Sequence, residues 1–479
     1  MRKHNLRVER SSVMECEFET AAQGSLGVGS IRGLKSQLSA PVTAAAVVGS
    51  PLRIAFGWTL AGNLIYYGCQ WGMLSVLAKL GNPAIVGQFA LGVAIAAPVF
   101  MFTNLQLRGV QATDSRSDFA FSDYFTLRCM ATCVGLATVL AIVSFSRYDH
   151  QTSLIVVLVA LAKVVESLSD VILGLMQKNE RLDQMATSLA LKGAASILVF
   201  TGAFWRFRSL IAAVAAMGLS WLLVFLTYDL PVARRAGEPG TFLLNTNIPI
   251  LRQLTLLSLP LGFVMSLMSL NTNIPRYILE HYKGPSEFGI YASLAYMGTA
   301  ASLVINALGQ STSARLSRMF ANQQFRGFKS LLRKFVLLGI SIGIFGVPAA
   351  ALFGRCVLSL VYRPEYALYL NVLVVMVATT SVLAIASFLG YGMTAARSFK
   401  APLIVISGST LATILLSFGL IPRFGLMGAA FALLSGAVVQ AFGFTVGIML
   451  ELKSARVEAQ MPYASENLKW KLRGVLCKR

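Results

Sequence analysis

The sequence predicts an all-α polytopic membrane protein, with twelve transmembrane helices in two pseudo-symmetric six-helix bundles around a central cavity. Three observations predict this fold class. Of 479 residues, 56% are hydrophobic and only 13% are charged, whereas a soluble domain carries about 25% charged residues. The apolar residues come in blocks of about 20, the length that crosses a hydrocarbon core. The two halves of the chain also repeat a pattern, and such repeats indicate two related bundles.

Twelve apolar blocks supply the predicted spans. They are residues 53–78, 84–107, 122–145, 152–176, 185–205, 210–228, 251–275, 288–311, 328–353, 367–391, 402–421 and 425–450. The loops after even-numbered spans are richer in Lys and Arg than the others, which places those loops and both termini in the cytoplasm. We therefore expect a multi-pass protein of the bacterial inner (cytoplasmic) membrane. The net charge of +21 comes from these loops and tails, so we expect no nucleic-acid partner.

The spans divide the chain into five predicted parts. Residues 1–52 lack an apolar block and are predicted to be a disordered cytoplasmic tail. Residues 53–228 form the N-terminal six-helix lobe, 229–250 a cytoplasmic linker, and 251–450 the C-terminal six-helix lobe. Residues 451–479 form a basic cytoplasmic C-terminal tail.

A motif of the form Pro-x3-Gly-x-aromatic-Ala joins the first two spans of each half. Pro83 aligns with Pro285, and Gly87 aligns with Gly289. Six spans per half give both halves the same orientation, so an axis along the membrane normal relates them, as in many transporters. We interpret the motif as scaffold because both halves share it.

The fourth span carries three charged residues, Lys163, Glu166 and Asp170. Offsets of three and four place them on one helical stripe. A charge at mid-span costs about 2.5–3.5 kcal/mol on insertion scales, so the stripe should face a wet cavity or partners. Two interpretations stay open. Lys163 binds substrate, or it pairs with Glu166 as a structural unit; Glu166 and Asp170 are accordingly candidates for coupling or structural charges.

Three further cations are candidates for a positively charged cavity lining. Lys192 in the fifth span and Arg128 in the third span have no carboxylate nearby in sequence, although both could instead reach the cytoplasmic interface. Arg276 follows Pro275, which predicts the end of the seventh span. A planar guanidinium matches a phosphate bidentately, so Arg276 is the strongest candidate of the three.

Side-chain amides at the span ends are candidates for a polar lining, because amides bind sugar hydroxyls or join helices. These residues are Asn104, Gln106, Asn271, Asn273 and Gln310. The cysteines and the three histidines show no metal-ligand spacing, and no nucleotide-binding or catalytic motif is present. We therefore expect no metal, no cofactor and no enzymatic activity.

Segments 87–108, 163–181, 274–277 and 289–292 together resemble the Wzx-like polysaccharide transporters (flippases) of the multidrug/oligosaccharidyl-lipid/polysaccharide exporter (MOP) superfamily. The resemblance covers about residues 53–450. It implies alternating access and a substrate oligosaccharide on undecaprenyl diphosphate, moved to the outer leaflet for O-antigen, capsule or exopolysaccharide synthesis. It also implies membrane lipids, a polysaccharide polymerase and chain-length machinery as partners.

Four other functions fit the sequence less well. A cation-coupled multidrug exporter of the same superfamily favours a carboxylate in the first or seventh span. Here the first has none, and Glu280 lies beyond the predicted end of the seventh. A lipid II flippase typically has fourteen spans. A membrane glycosyltransferase or polymerase needs a large outer loop with catalytic carboxylates, and the outer loops are short. A scaffold without transport leaves the repeat unexplained.

Overall fold

A computed structural model describes residues 52–114, 118–146, 148–236, 242, 244–396 and 400–460. The predicted N-terminal tail, except residue 52, and most of the predicted C-terminal tail lie outside these residues. The side chain of Gln310 also lies outside the description. Every regular element in the described residues is helical.

The first half of the chain forms seven helices. They are α1 (Leu52–Leu80), α2 (Pro83–Thr103), α3 (Leu107–Thr113), α4 (Phe121–Phe145), α5 (His150–Lys178), α6 (Leu182–Phe207) and α7 (Leu210–Ala236). All except the short α3 are long enough to cross a membrane. A π-helical turn, Phe225–Asp229, interrupts α7. Because α7 continues to Ala236, the linker to the second half begins later than the predicted residue 229.

The second half forms four long helices. They are α8 (Ile248–Ala321), α9 (Phe325–Val361), α10 (Leu370–Ala395) and α11 (Lys400–Gln460). Two of them are sharply broken by a glycine with positive φ, α8 at Gly284 and α11 at Gly425. Each of these two therefore supplies two spans, and the second half contains six.

Eight stretches of the described residues are long and apolar enough to cross a membrane. Two of the eight, 51 and 55 residues long, lie within the broken helices α8 and α11, and each of these helices holds two spans. Helices α1 and α5 have 29 residues each and also have the length of a span, although they carry polar residues. The described residues thus contain the twelve predicted spans.

The predicted end of the seventh span at Pro275 is wrong. The first arm of α8 continues through Pro275 and ends at Gly284, where φ is 80° and ψ is 178°. Neighbouring helices can satisfy the carbonyl that a proline leaves unbonded, so membrane helices tolerate internal proline. The backbone conformation at Gly284 is open almost only to glycine, and this residue makes the turn.

Helices α1–α7 pack mainly on one another and form the first lobe, while α8–α11 form the second lobe. The lobes meet where α2 packs along α8. A Cβ added to Gly87 would overlap the carbonyl of Pro285, and one added to Gly289 would overlap the carbonyl of Pro83. The repeated motif is thus a reciprocal backbone contact between the lobes, which requires glycine on both sides and agrees with its interpretation as scaffold.

Candidate functional site

A cavity of about 150 Å³ lies between α1, α2, α5, α7 and the second arm of α8. Its walls contain five aromatic residues, Tyr66, Tyr67, Phe89, Trp221 and Tyr296. Its polar members are Gln70, Lys163 and Glu166. An apolar, aromatic cleft with a few polar groups is the usual composition of a small-molecule site.

The cavity lies about midway along two membrane-length helices. Tyr66 and Lys163 stand near the centres of α1 and α5, which have 29 residues each, about 20 Å from a helix end at 1.5 Å per residue. Tyr296 of α8 lines the same cavity. Transporters with two related lobes bind substrate near the midplane at the interface between the lobes. Tyr296 belongs to the second lobe and the other two residues to the first, so the cavity lies at such an interface.

Lys163 and Glu166 form the ion pair that their spacing predicts. The distance from Lys163 Nζ to Glu166 Oε2 is 2.5 Å, and the Tyr66 hydroxyl donates to Glu166 Oε1 at 2.8 Å. The two charged side chains remain 26% and 32% exposed, so a ligand in the cavity can reach them. The Nε2 of Gln70 is buried close to the Tyr66 hydroxyl, but it makes no hydrogen bond of normal geometry in the described part of the chain. This donor can bond a ligand hydroxyl.

Arg276 adjoins the cavity through Tyr296. Its guanidinium carbon lies 5.8 Å from the centre of the Tyr296 ring, and its Nη1 donates to Asn273 Oδ1 at 3.0 Å. Asn273 in turn donates to the carbonyl of Ser269 at 2.8 Å. Among the described residues no carboxylate forms an ion pair with Arg276, and its Nε is buried without a partner. Arg276 therefore brings an unneutralised charge to the edge of the cavity, about 12 Å from the turn at Gly284.

Arg128 has no carboxylate nearby in sequence, but the structure gives it a carboxylate partner on another helix. Arg128 Nη2 lies 3.0 Å from Asp170 Oδ2, and Arg108 Nη1 lies 3.3 Å from Asp170 Oδ1. Two arginines from α3 and α4 thus share one carboxylate of α5. Arg108 also donates from Nε to Gln177 Oε1 at 3.2 Å. The sequence could not show these pairs because their members lie far apart along the chain.

The interpretation of Lys192 as an unpaired cation of the cavity lining is wrong. Its Nζ lies 2.6 Å from Asp229 Oδ2, and both side chains are buried. The hydroxyls of Ser169 and Ser188 donate to Asp229 at 2.5 and 2.6 Å and accept from Lys192. Every ammonium hydrogen has an acceptor within this cluster, so Lys192 has no donor left for a ligand.

Asn271 joins two helices of the second lobe. It donates from Nδ2 to Ser409 Oγ at 3.2 Å and accepts from Thr413 Oγ1 at 2.7 Å. Asn271 is 4% exposed. Both ends of the amide are used between α8 and α11, which is the helix-joining role of a membrane amide.

The remaining amides lie where the first lobe breaks between α2 and α3. Asn104 caps α2, and its Oδ1 is buried without a partner in the described residues. Leu105 and Gln106 follow with φ of 51° each, and Gln106 is exposed. Of the five predicted amides, only Asn273 is connected with the cavity by the described side chains. The connection runs through Arg276.

A carboxylate outside the spans fixes the position of α3. Asp114 accepts hydrogen bonds from the backbone N–H groups of Asp118 and Phe119, and lies 3.5 Å from the Lys178 ammonium at the end of α5. Burial alone would raise the pKa of Asp114, but these hydrogen bonds and the lysine charge outweigh it and lower the pKa. This anchor holds the helix that carries Arg108.

The sequence interpretation missed the aromatic wall and Gln70. Tyr66, Tyr67, Trp221 and Tyr296 carry no charge, and aromatic residues in membrane helices usually serve packing or the interface. One signal was available: Tyr66, Tyr67 and Tyr296 lie at the same depth as Lys163, well away from the helix ends where tyrosine is normally enriched. No group of three metal-ligating side chains occurs in the part of the chain that the structure describes.

No family model matches the chain. Its sequence is 27% identical to the capsular polysaccharide biosynthesis protein CapF of Staphylococcus aureus over 377 residues, which are 78% of this chain and 93% of that protein. An inward-facing multidrug-resistance MATE transporter of the MOP superfamily superposes with a TM-score of 0.66 at 12% identity, over 84% of this chain and 96% of its own. The chain has the fold of the MOP superfamily.

Two further structures agree with this fold. A MOP-superfamily transporter from Pyrococcus furiosus, described as having a binding pocket of reverse polarity, has a TM-score of 0.61 at 14% identity. A mutant of the Vibrio cholerae MATE transporter VcmN has the same TM-score at 13% identity. Both match 84% of this chain and 96% of their own. Together with the similarity to CapF, these findings confirm the resemblance to MOP-superfamily polysaccharide transporters.

Proposed function

We propose that the protein is a flippase. It moves an undecaprenyl-diphosphate-linked oligosaccharide from the cytoplasmic to the outer leaflet for O-antigen, capsule or exopolysaccharide synthesis. One observation carries the proposal: an arginine without a carboxylate partner in the described residues adjoins an aromatic cavity between two lobes of a MOP-superfamily fold. The similarity to a capsular polysaccharide biosynthesis protein supports it.

The chemistry of such a substrate matches these groups. A diphosphate cannot enter hydrocarbon without compensating cations, whereas the polyprenyl tail can stay in lipid. Arg276 supplies a planar guanidinium for a phosphate oxygen, and Lys163 supplies an ammonium at the same cavity. The aromatic faces and the Gln70 donor serve the sugars, which present apolar ring faces and hydroxyl groups.

The same proposal includes location and partners. The protein lies in the bacterial cytoplasmic membrane with both termini in the cytoplasm, as the charge of the loops indicates. It passes its product to a polysaccharide polymerase and chain-length machinery on the outer side.

A multidrug exporter is the second candidate, and Glu166 favours it. A carboxylate in an aromatic cavity of the first lobe suits an organic cation. Lys163 neutralises that carboxylate at 2.5 Å, which weakens the case. The two functions separate in a drug-susceptibility assay, because only an exporter of organic cations protects cells from them.

The test replaces Arg276 by Gln in a strain that lacks the chromosomal gene. We expect at least a tenfold loss of surface polysaccharide at unchanged protein level, because one charge-assisted contact is worth about 1.5–3 kcal/mol. Lipid-linked repeat units should accumulate on the cytoplasmic side. The matched control is Arg355→Gln, an exposed arginine of α9. Wild-type polysaccharide in the Arg276 variant would refute the assignment.

A further inference from the structure

We propose that Arg108, Arg128 and Asp170 form a phosphate-binding site in the cytoplasmic half of the first lobe. There the headgroup of the lipid-linked substrate binds before it reaches the aromatic cavity. This inference rests on the proposed function and names a second, earlier site on the route of the diphosphate.

The first argument is a surplus of positive charge. Two guanidinium groups flank one carboxylate, so the cluster carries one unneutralised positive charge. Arg128 is fully buried, with 0% of its side chain exposed. A buried charge that is not neutralised is strongly unfavourable. The Lys192–Asp229 cluster of the same lobe is neutral and fully hydrogen-bonded. Side chains of this lobe can therefore neutralise a buried cation completely, and at the arginine pair the described side chains do not.

The second argument is a set of unused donors. Arg128 makes its ion pair through Nη2 alone, and its buried Nε and Nη1 have no acceptor in the described part of the chain. Buried polar groups nearly always have a partner, and each exception needs an explanation. A phosphate offers three or more acceptor oxygens and pairs bidentately with a guanidinium. It would satisfy the donors that Asp170 leaves open.

The third argument is the strained backbone that places Arg108. Leu105 and Gln106 both adopt left-handed conformations, which cost about 1–3 kcal/mol each for residues other than glycine and cluster at functional sites. This break ends α2 and starts α3, so that Arg108 comes against α5. A Cβ on Gly174 would lie 3.3 Å from the Arg108 Cα, so glycine allows the close approach.

Along α5 the cluster lies one helical turn from the cavity. Asp170 lies four residues after Glu166 and therefore on the same face of α5. Tyr67, which lines the cavity, lies within electrostatic range of Arg108 and Asp170 as well as of Lys163 and Glu166. Arg108 and Asp170 are each 28% exposed, so an anion can reach the cluster. A headgroup would then meet the arginine pair, Lys163 and Arg276 in that order towards the outside.

Asp170 acts in this site as a resident counterion. It holds the two arginines while no phosphate is present, and a phosphate displaces it. This role leads to a prediction of definite sign. Asp170→Asn removes the competing charge, so this variant should bind phosphate groups more tightly. If Asp170 were only a structural carboxylate, the same variant would show no increase in phosphate affinity.

The experiment measures thermal stability of the full-length protein in neutral detergent against the concentration of inorganic pyrophosphate, at fixed ionic strength. A ligand that binds only the folded state raises the midpoint, and the rise grows with the logarithm of its concentration divided by its Kd. We expect about tenfold tighter binding for Asp170→Asn and about tenfold weaker binding for Arg108→Gln, since each change alters one charge-assisted contact. Asp183→Asn is the matched control, because it removes an exposed carboxylate of the same lobe.

Three probes identify the source of the phosphate. Farnesyl diphosphate should stabilise the protein at least as well as pyrophosphate, whereas sulfate and phosphatidylglycerol micelles should stabilise it much less. Equal effects of sulfate and pyrophosphate, or unchanged binding in Asp170→Asn and Arg108→Gln, would overturn the site. An equal effect of phosphatidylglycerol would assign it to membrane phospholipid and overturn the substrate assignment.

The outcomes also separate this site from the proposed function. Suppose that Arg276→Gln loses surface polysaccharide, while Asp170→Asn binds pyrophosphate no more tightly than the wild type. The early phosphate site is then refuted and the flippase proposal stands. Suppose instead that Arg276→Gln makes normal amounts of surface polysaccharide, while Asp170→Asn binds pyrophosphate more tightly. A phosphate site at the arginine pair is then supported, and the proposed role of Arg276 is refuted.

Discussion

The Lys192–Asp229 cluster gives the sharpest prediction about stability. Lys192→Met should destabilise the protein strongly, because it leaves the Asp229 carboxylate charged and 0% exposed with only two serine hydroxyls to stabilise it. Asp229→Leu should do the same by leaving the ammonium unpaired. The double variant should lie close to the wild type, because it removes both buried charges together.

The magnitudes follow from burial and distance. The ion pair is 2.6 Å long, with 4% and 0% of the two side chains exposed. Removing one member of such a pair costs about 3–5 kcal/mol, whereas replacing both by apolar residues is often neutral. The two serine hydroxyls can turn to carbonyl groups of their own helices, so we expect the double variant within about 1 kcal/mol of the wild type. A double-mutant cycle then gives a coupling energy of several kcal/mol.

Unfolding in mixed detergent micelles, followed by tryptophan fluorescence, measures these free energies. The matched control is the Arg181–Asp183 pair, which begins α6. It is 3.6 Å long, with about half of each side chain exposed. Removing either member of an exposed pair should change the unfolding free energy by less than about 1 kcal/mol. The reasoning is refuted if the double variant is destabilised by the sum of the single effects, since the charges would then act independently.

Two further predictions concern the backbone. Asp149 caps α5 by accepting from Thr152 N at 3.1 Å, and its hydrogen bonds from Thr152 lower its pKa. Asp149→Ala should therefore cost about 1 kcal/mol of unfolding free energy at pH 7. The stabilisation of a depressed carboxyl is lost as the pH falls through its folded pKa, so the difference should shrink below about pH 4; an undiminished difference at pH 3 would contradict this cause. Gly284→Ala should cost about 1–3 kcal/mol through backbone strain alone, since no atom lies within 4 Å of the added Cβ. Gly408→Ala, in a helix with equal free space, should be neutral or slightly stabilising, and equal effects of the two changes in the same unfolding assay would exclude strain.

The sequence predicts the features of this fold that are local. Hydropathy marks the twelve spans, and the offset of three residues predicts the Lys163–Glu166 pair, because neighbours on one helix follow from spacing alone. The failure at Pro275 has a different origin. Proline ends helices in water, but in a membrane the neighbouring helices compensate for its missing hydrogen bond.

The rest of the candidate site depends on contacts between helices. The carboxylates that pair with Arg128 and Lys192 come from other helices, so neither pair is visible in a pattern of neighbouring residues. The same limit applies to the aromatic cavity, whose walls come from five separate spans. Sequence reasoning identified Arg276 and its neighbour Asn273, whereas their relation to Tyr296 needed the three-dimensional packing.

The reciprocal contact between the lobes has a consequence for the history of the chain. Gly87 meets Pro285 while Gly289 meets Pro83, which is the rule of an isologous interface between two identical subunits. A free six-helix lobe would carry both sides of this contact on one surface and could pair with itself as a homodimer. Fusion of two copies keeps that surface but frees each copy to diverge. Arg276 is such a divergence, since Leu74 stands at the equivalent position of the first copy. In the fused chain a charge can therefore stand in one half of the cavity alone, so a substrate with one anionic end binds in a single orientation.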